Sequence, residues 1–373
     1  MKFTLSSTIL LQQMQAVSRV IATKTSLKIL ESVLFDLDGN QLTLTASDGE
    51  TTIRTVVEVE GEGKGKVASA AKQLLDVLRE FPEQPLTFDI DDQTFAINIS
   101  SDNGTYNFVG VNGAEYPEMI AQLENPHAFA ISASVLLNAL NQTVFCTADD
   151  ELRPVMNGVF FDLTPEKATL VATDAHRLVR YTNTTAHTEE TANFILPKKP
   201  ANLLRNVLAK EQDDVMVSFN EKNVRFDFGQ TVVLCRQIEG RFPNYNSVIP
   251  QNNRNKITVD RLTILNTIKR VAVFANPGTG LIKLAISENS INISAQDIDF
   301  STSAEETISC SYEGEPMSIG FKAPFLIEIL ASIVSDNVVF ELENPNRAGL
   351  ILPFENNENE DIVMLLMPML LND

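Results

Sequence analysis

Asp174-x-His176-Arg177 is the stretch of this chain best equipped for chemistry: a carboxylate, an imidazole and a guanidinium within four positions could serve as an acid–base group. Asp174 also has two counterparts, Asp48 and Asp297, and three carboxylates are a minimal ligand set for a cation. The spacing argues against both uses. Phe35-Asp36-Leu37, Thr43-Leu44, Ala46 and Asp48 recur without a gap as Phe161-Asp162-Leu163, Thr169-Leu170, Ala172 and Asp174, a shift of 126 positions. A fainter copy, Leu284, Ile286, Ile293, Ala295 and Asp297, follows 123 positions later. The aspartates are therefore equivalent points of separate repeats and cannot converge on one metal. A turn role after a strand, with each carboxylate accepting nearby backbone amides, accounts for all three. His127 and His187 have no ligand-like neighbours, and there is no Walker A loop, no Gly-x-Gly-x-x-Gly and no Cys-x-x-Cys. Neither an enzyme nor a bound cofactor is expected.

The repeat divides the 373 residues into units 1–125, 126–253 and 254–373. Each is long enough for its own core, and much longer than a solenoid repeat. Each opens on a short alternating strand (Phe3-Thr4-Leu5, Phe129-Ala130-Ile131, Ile257-Thr258-Val259) followed by a helix capped at Ser6, Ser132 or Asp260. In the first of these helices Ile9, Leu10, Met14 and Val17 share one side. Hairpins come next, with Asp38-Gly39-Asn40 as a positive-φ turn. A second helix is predicted over 72–79, 199–208 and 324–333, and more strands close each unit around turns such as Ser101-Asp102-Asn103-Gly104. The pattern predicts an α+β fold of three repeated domains, each with two helices packed on antiparallel sheets of about eight strands.

Composition narrows the setting. The net charge is −20, so any contact with nucleic acid needs a segregated basic face. Lysines and arginines do fall on or beside the predicted helices, among them Lys24, Lys72, Lys198, Lys199 and Arg270, with Asp76 and Glu80 interleaved. Three cysteines, Cys146, Cys235 and Cys310, cannot pair completely and suggest a reducing cytoplasm. The start Met1-Lys2-Phe3-Thr4-Leu5 does not read as a signal peptide, and no apolar run is long enough to span a membrane.

Four motifs stand in order: Met1-Lys2-Phe3-Thr4, Ala172-Thr173-Asp174-Ala175-His176-Arg177-Leu178, Gly240-Arg241-Phe242-Pro243-x-Tyr245 and Met367-Pro368-Met369. With them the whole chain resembles the family of bacterial DNA polymerase III β subunits, the sliding clamps. That resemblance implies the DNA clamp fold in a head-to-tail dimeric ring around double-stranded DNA, bound without regard to sequence. It implies a non-catalytic processivity factor that holds the replicative polymerase, the clamp loader and repair proteins by short linear motifs. By the same resemblance the peptide groove is formed by Met156, Thr173, His176, Arg177, Leu178, Pro243, Val248, Leu365, Met367, Pro368 and Met369. Thr173, His176 and Arg177 serve there as polar handles on an adaptable apolar wall. Lys24, Lys198 and Lys199 are the DNA contacts it implies, and Tyr106 and Phe108 meet Val273 and Phe274 at the dimer joint, with Glu305 and Glu306 pairing basic groups across it. Ala175 stands where the family has glycine, Ser247 replaces an arginine, and Leu370 is apolar where a basic residue is frequent. Asp149, Asp150, Pro154 and Val155 depart from the aromatic and polar pattern of a DNA-touching loop. The competing reading is a three-domain peptide-binding scaffold that never encircles DNA.

Overall fold

The structure, a computed structural model, describes residues 1–22, 24–118 and 122–371. Among these, six α-helices are set against antiparallel sheets: α1 Ser7–Val17, α2 Ala71–Leu78, α3 Ala133–Thr143, α4 Lys198–Val207, α5 Arg261–Val271 and α6 Ala323–Ser332. The second helix of each repeat begins one residue before the sequence pattern places it. Ser6 caps α1 by accepting the Ile9 amide at 3.2 Å, and Asp260 caps α5 by accepting the Thr263 amide at 2.7 Å. The Ser132 hydroxyl instead lies 2.8 Å from that of Ser134. In α1 the core takes Leu10, Met14 and Val17, while Ile9 faces solvent.

The chain forms two compact units. One comprises residues 1–137 and 199–237, the other 138–198 and 238–373. In the first, a five-stranded sheet ends on Thr105–Val109, and a nine-stranded sheet runs continuously through Thr51–Glu58 and Thr231–Arg236. In the second, an eight-stranded sheet is continuous through Arg177–Asn183 and Glu360–Leu366, and a four-stranded sheet ends on Thr302–Ser309. Each long sheet thus joins strands of two successive repeats, in registers that set Val233 opposite Ile53 and Tyr181 opposite Ile362. Such joins satisfy backbone groups that bare sheet edges would leave open.

The repeated phenylalanines are core residues. Phe3 stacks on Phe88 at 4.8 Å with Phe35 beside it, and Phe161, the counterpart of Phe35, stacks on Phe194 at 4.4 Å. All five rings are buried. Helix α1 packs on α2 and α5 on α6, so each pair covers an apolar sheet face. The Gly39 turn has φ +61°, as the Asp-Gly sequence requires.

Candidate peptide-binding groove

The three repeated aspartates are turn-builders. Asp48 Oδ1 accepts the amides of Glu50 (2.9 Å) and Thr51 (2.7 Å), and Asp174 Oδ1 those of His176 (2.9 Å) and Arg177 (3.0 Å). Asp297 Oδ1 accepts those of Asp299 (3.0 Å) and Phe300 (3.4 Å). Among the described residues no cluster of three or more His, Cys, Asp or Glu side chains could hold a metal.

At Asp174 the turn shapes one wall of a cavity of about 320 Å³ in the second unit. The strand Ala168–Thr173 delivers Thr173, and the strand Arg177–Asn183 delivers Arg177 and Leu178. Glu360–Leu366 brings in Leu365 and, just past its end, Met367. Opposite stand Met156, Pro243 and Val248. The Gly240-to-Tyr245 motif has a structural purpose here. Phe242 is buried and stacks face to face on Phe160 at 4.7 Å. Tyr245 is buried and donates its hydroxyl to Asp162 at 2.7 Å; burial, then this carboxylate, raises its pKa. These two anchors hold Pro243 and Val248 at the mouth, where Val248 is 55% exposed.

Eight of the eleven sequence-predicted groove residues line this cavity: Met156, Thr173, Arg177, Leu178, Pro243, Val248, Leu365 and Met367. His176, Pro368 and Met369 do not. The His176 ring is exposed and lies 6.3 Å from the ring of Phe325, while its carbonyl accepts the Met367 amide at 2.9 Å. Met369 is tied to the strand Met317–Lys322 by its amide, which donates to Gly320 O at 2.8 Å. Ala175, Phe242, Asn244 and Tyr245 complete the lining and were absent from the predicted set; the two aromatics were visible in the sequence only as part of a motif.

The polar handles differ most from expectation. The Thr173 hydroxyl donates to Arg177 O (2.7 Å) and accepts the Ala175 amide (3.1 Å), so the turn consumes it. Arg177 is 6% exposed. It donates to Asp174 (3.0 Å), to Phe145 O (2.9 Å) and to Glu328, and its guanidinium lies 4.3 Å from the Phe325 ring centre. It is an interior tie across the second unit rather than a free rim group. What remains for a ligand is an apolar, adaptable surface. The Ser247 hydroxyl is likewise spent locally, on Asn244 O at 2.7 Å, and Leu370 is 77% exposed.

The proposed DNA contacts are placed unequally. Lys24 is exposed in the chain after α1. Lys198 pairs with Asp149 at 2.6 Å, and Lys199 pairs with Asp48. Both charges are thus held by carboxylates of their own unit. At the joint predicted from Tyr106 and Phe108, Tyr106 is 37% exposed and packs edge-on against Phe81 at 5.0 Å, while Phe108 is half-buried. Val273 and Phe274 are 78% and 40% exposed. Glu305 is exposed, but Glu306 is engaged within the chain: Arg270 grips it through two contacts of 2.8 and 2.6 Å, which lower its pKa.

Comparison with known proteins decides the family. The models of the DNA polymerase III beta subunit match end to end: the N-terminal domain over residues 1–120, the central domain over 130–244 and the C-terminal domain over 246–370. The chain belongs to the DNA polymerase III beta subunit family. The Beta sliding clamp of Vibrio cholerae serotype O1 is 26% identical over 99% of both chains, and that of Staphylococcus aureus strain Mu50 is 25% identical over the same share. The crystal structure of a DnaN sliding clamp from Bartonella birtlesii, bound to griselimycin, superposes with a TM-score of 0.93 at 27% identity, covering all of both chains. The family is a non-catalytic processivity factor.

Family membership sharpens one local feature. Ala175 adopts φ +74°, a left-handed backbone that a Cβ disfavours. Ala175→Gly is expected to stabilise the second unit by about 1 kcal/mol. A rise in the thermal midpoint followed by circular dichroism checks this, and an unchanged or lower midpoint counts against strain at the turn.

Proposed function

We propose that two copies of this chain close head to tail into a ring around duplex DNA, and that the groove tethers the replicative polymerase, the clamp loader and repair proteins through short linear motifs. The observation that carries this reading is end-to-end correspondence with sliding clamps, combined with an apolar groove built from the Thr173-to-Leu178, Phe242-to-Val248 and Leu365-to-Met367 segments. Three sequence repeats, 1–125, 126–253 and 254–373, are the domains we assign to each half-ring. A ring held by topology needs little grip, and this chain offers little. Lys24 is exposed, while Lys198 and Lys199 must exchange carboxylates for phosphates, so contacts are weak, salt-sensitive and blind to sequence. The setting that fits is the cytoplasm; no described helix is long and apolar enough to cross a membrane.

Retention on DNA tests the ring. After loading by a clamp loader onto a nicked plasmid, the protein is expected to co-elute with the circle in gel filtration, and to be lost when the plasmid is cut once before the column. Equal retention on the cut plasmid indicates ordinary phosphate binding. No retention on either favours the peptide-binding scaffold.

A further inference from the structure

The C-terminal half of α3 sets Asn138 and Gln142 one helical turn apart on the wall of a second cavity, of about 420 Å³. It shares no lining residue with the groove. Its other walls are the segment after α6, residues 333–337, and the loop 353–357. Gln142 is only 3% exposed. Its Nε2 donates to Ser332 O at 2.9 Å, which fixes the amide orientation, because a flip would set oxygen against oxygen. Its Oε1 is then a buried acceptor, and among the described residues it has no partner. Such a group is destabilising until a donor reaches it.

The other side chains on this wall supply no donor to it. Asn138 donates to Glu360 at 3.0 and 3.2 Å, and Ser335 donates to Asn337 O at 2.6 Å. The oxygen-bearing rim adds two exposed carboxylates, Asp336 and Glu355. Arg261, close by, turns its guanidinium to the backbone at Ser335 O (3.0 Å) and Leu330 O (3.4 Å). The ionised groups of the lining are thus both carboxylates and make the site anionic, with the amides of Asn337, Asn356 and Asn357 beside them. Val334 and Phe354, 78% and 53% exposed, give it an apolar lip.

We propose that this cavity is a second ligand site, which takes a cationic N–H donor on an aliphatic stem: an alkylammonium or, better, a guanidinium. The stem lies along Val334 and Phe354, and the head reaches Gln142 and Asp336. A free polyamine and a basic side chain of a partner polypeptide present the same chemistry.

Isothermal titration of the full chain at low salt separates them, with agmatine as the free cation and a capped Gly-Arg-Gly tripeptide as the polypeptide source. The capped Gly-citrulline-Gly tripeptide is the neutral control. Saturable binding of either cation is expected, with the citrulline peptide about tenfold weaker or worse. Gln142→Met and Asp336→Asn are each expected to weaken the cation about tenfold, the surface change Asp336→Asn at an unchanged thermal midpoint. Binding of both cations means that the free amine suffices, and binding of the peptide alone assigns a polypeptide partner. Equal affinity for citrulline, unchanged affinity in folded Gln142→Met, or no saturable binding at millimolar cation overturns the site. Should Gln142→Met fail to fold, the surface change Asp336→Asn decides, and unchanged affinity there overturns it equally.

Discussion

Arg177→Leu is expected to destabilise the second unit by about 3 kcal/mol, the lower end of the cost of removing one partner from a buried ionic network. The side chain is 7% exposed, and the two carboxylates it holds differ: Asp174 is 15% exposed at the side chain, Glu328 51%. Asp174 keeps two backbone amides but loses its countercharge, whereas Glu328 can relax into water, which is why the lower figure applies. Phe145 O loses its donor, and Phe325 loses the cation over its ring. Arg177→Lys is expected to recover little, since an ammonium cannot reach three acceptors in a planar fork. The sequence has no tryptophan, so unfolding is best monitored by circular dichroism in urea. The two ideas of Arg177 give different results. An interior tie lowers the midpoint in both variants and weakens the groove only as a consequence. A rim handle leaves the midpoint unchanged and weakens ligand binding alone.

How far the sequence carried depended on whether a residue's role was local. Asp48, Asp174 and Asp297 were readable because a turn carboxylate bonds amides two and three positions on, and repetition excluded a shared metal. Phe35 and Phe161 were readable because strand alternation marks core positions. The groove emerged through motifs, which named segments distant in the chain. Motifs do not say which atom faces the cavity: the His176 ring lies by that of Phe325, and the Met369 amide bridges to Gly320. The roles of Arg177, Lys198 and Lys199 depended on Glu328, Asp149 and Asp48, partners 49 or more positions away that no periodicity connects. Net charge alone did not show that part of the acidity of this chain pairs with its own lysines, as at Asp149 and Asp48.

Phe108→Asp combined with Phe274→Asp is expected to convert the protein from a dimer to a monomer, halving the mass found by light scattering. Among the described residues, Thr105–Val109 is paired on one side only, by Ala96–Ser100, and Thr302–Ser309 on one side only, by Ser290–Asp297. Each unit thus carries a bare edge of five or more residues, the kind of edge that soluble proteins cover or pair. Apolar groups accompany both. Beside the first, a cleft of about 670 Å³ brings together Val77, Phe81 and Tyr106, with Lys72, Asp76 and Glu80 also in its lining. The second is contacted by the short helix Ala272–Phe274, which carries Val273 and Phe274, and is just preceded in sequence by Ile298 and Phe300, 79% and 75% exposed. Pairing first edge with second edge is heterologous, so each chain uses both surfaces and two chains can close without leaving either bare. An aspartate at Phe108 or Phe274 would bring a charge into an apolar joint, and two would face one another across it. Because Arg270 already holds Glu306 within the chain, the joint we propose rests on these apolar and backbone contacts more than on ion pairs between chains. Dimer mass should accordingly persist at high salt, where a joint held by charge would separate. A dimeric mass in the folded double variant would remove Phe108 and Phe274 from the joint, and with them the edge-to-edge closure proposed for the ring.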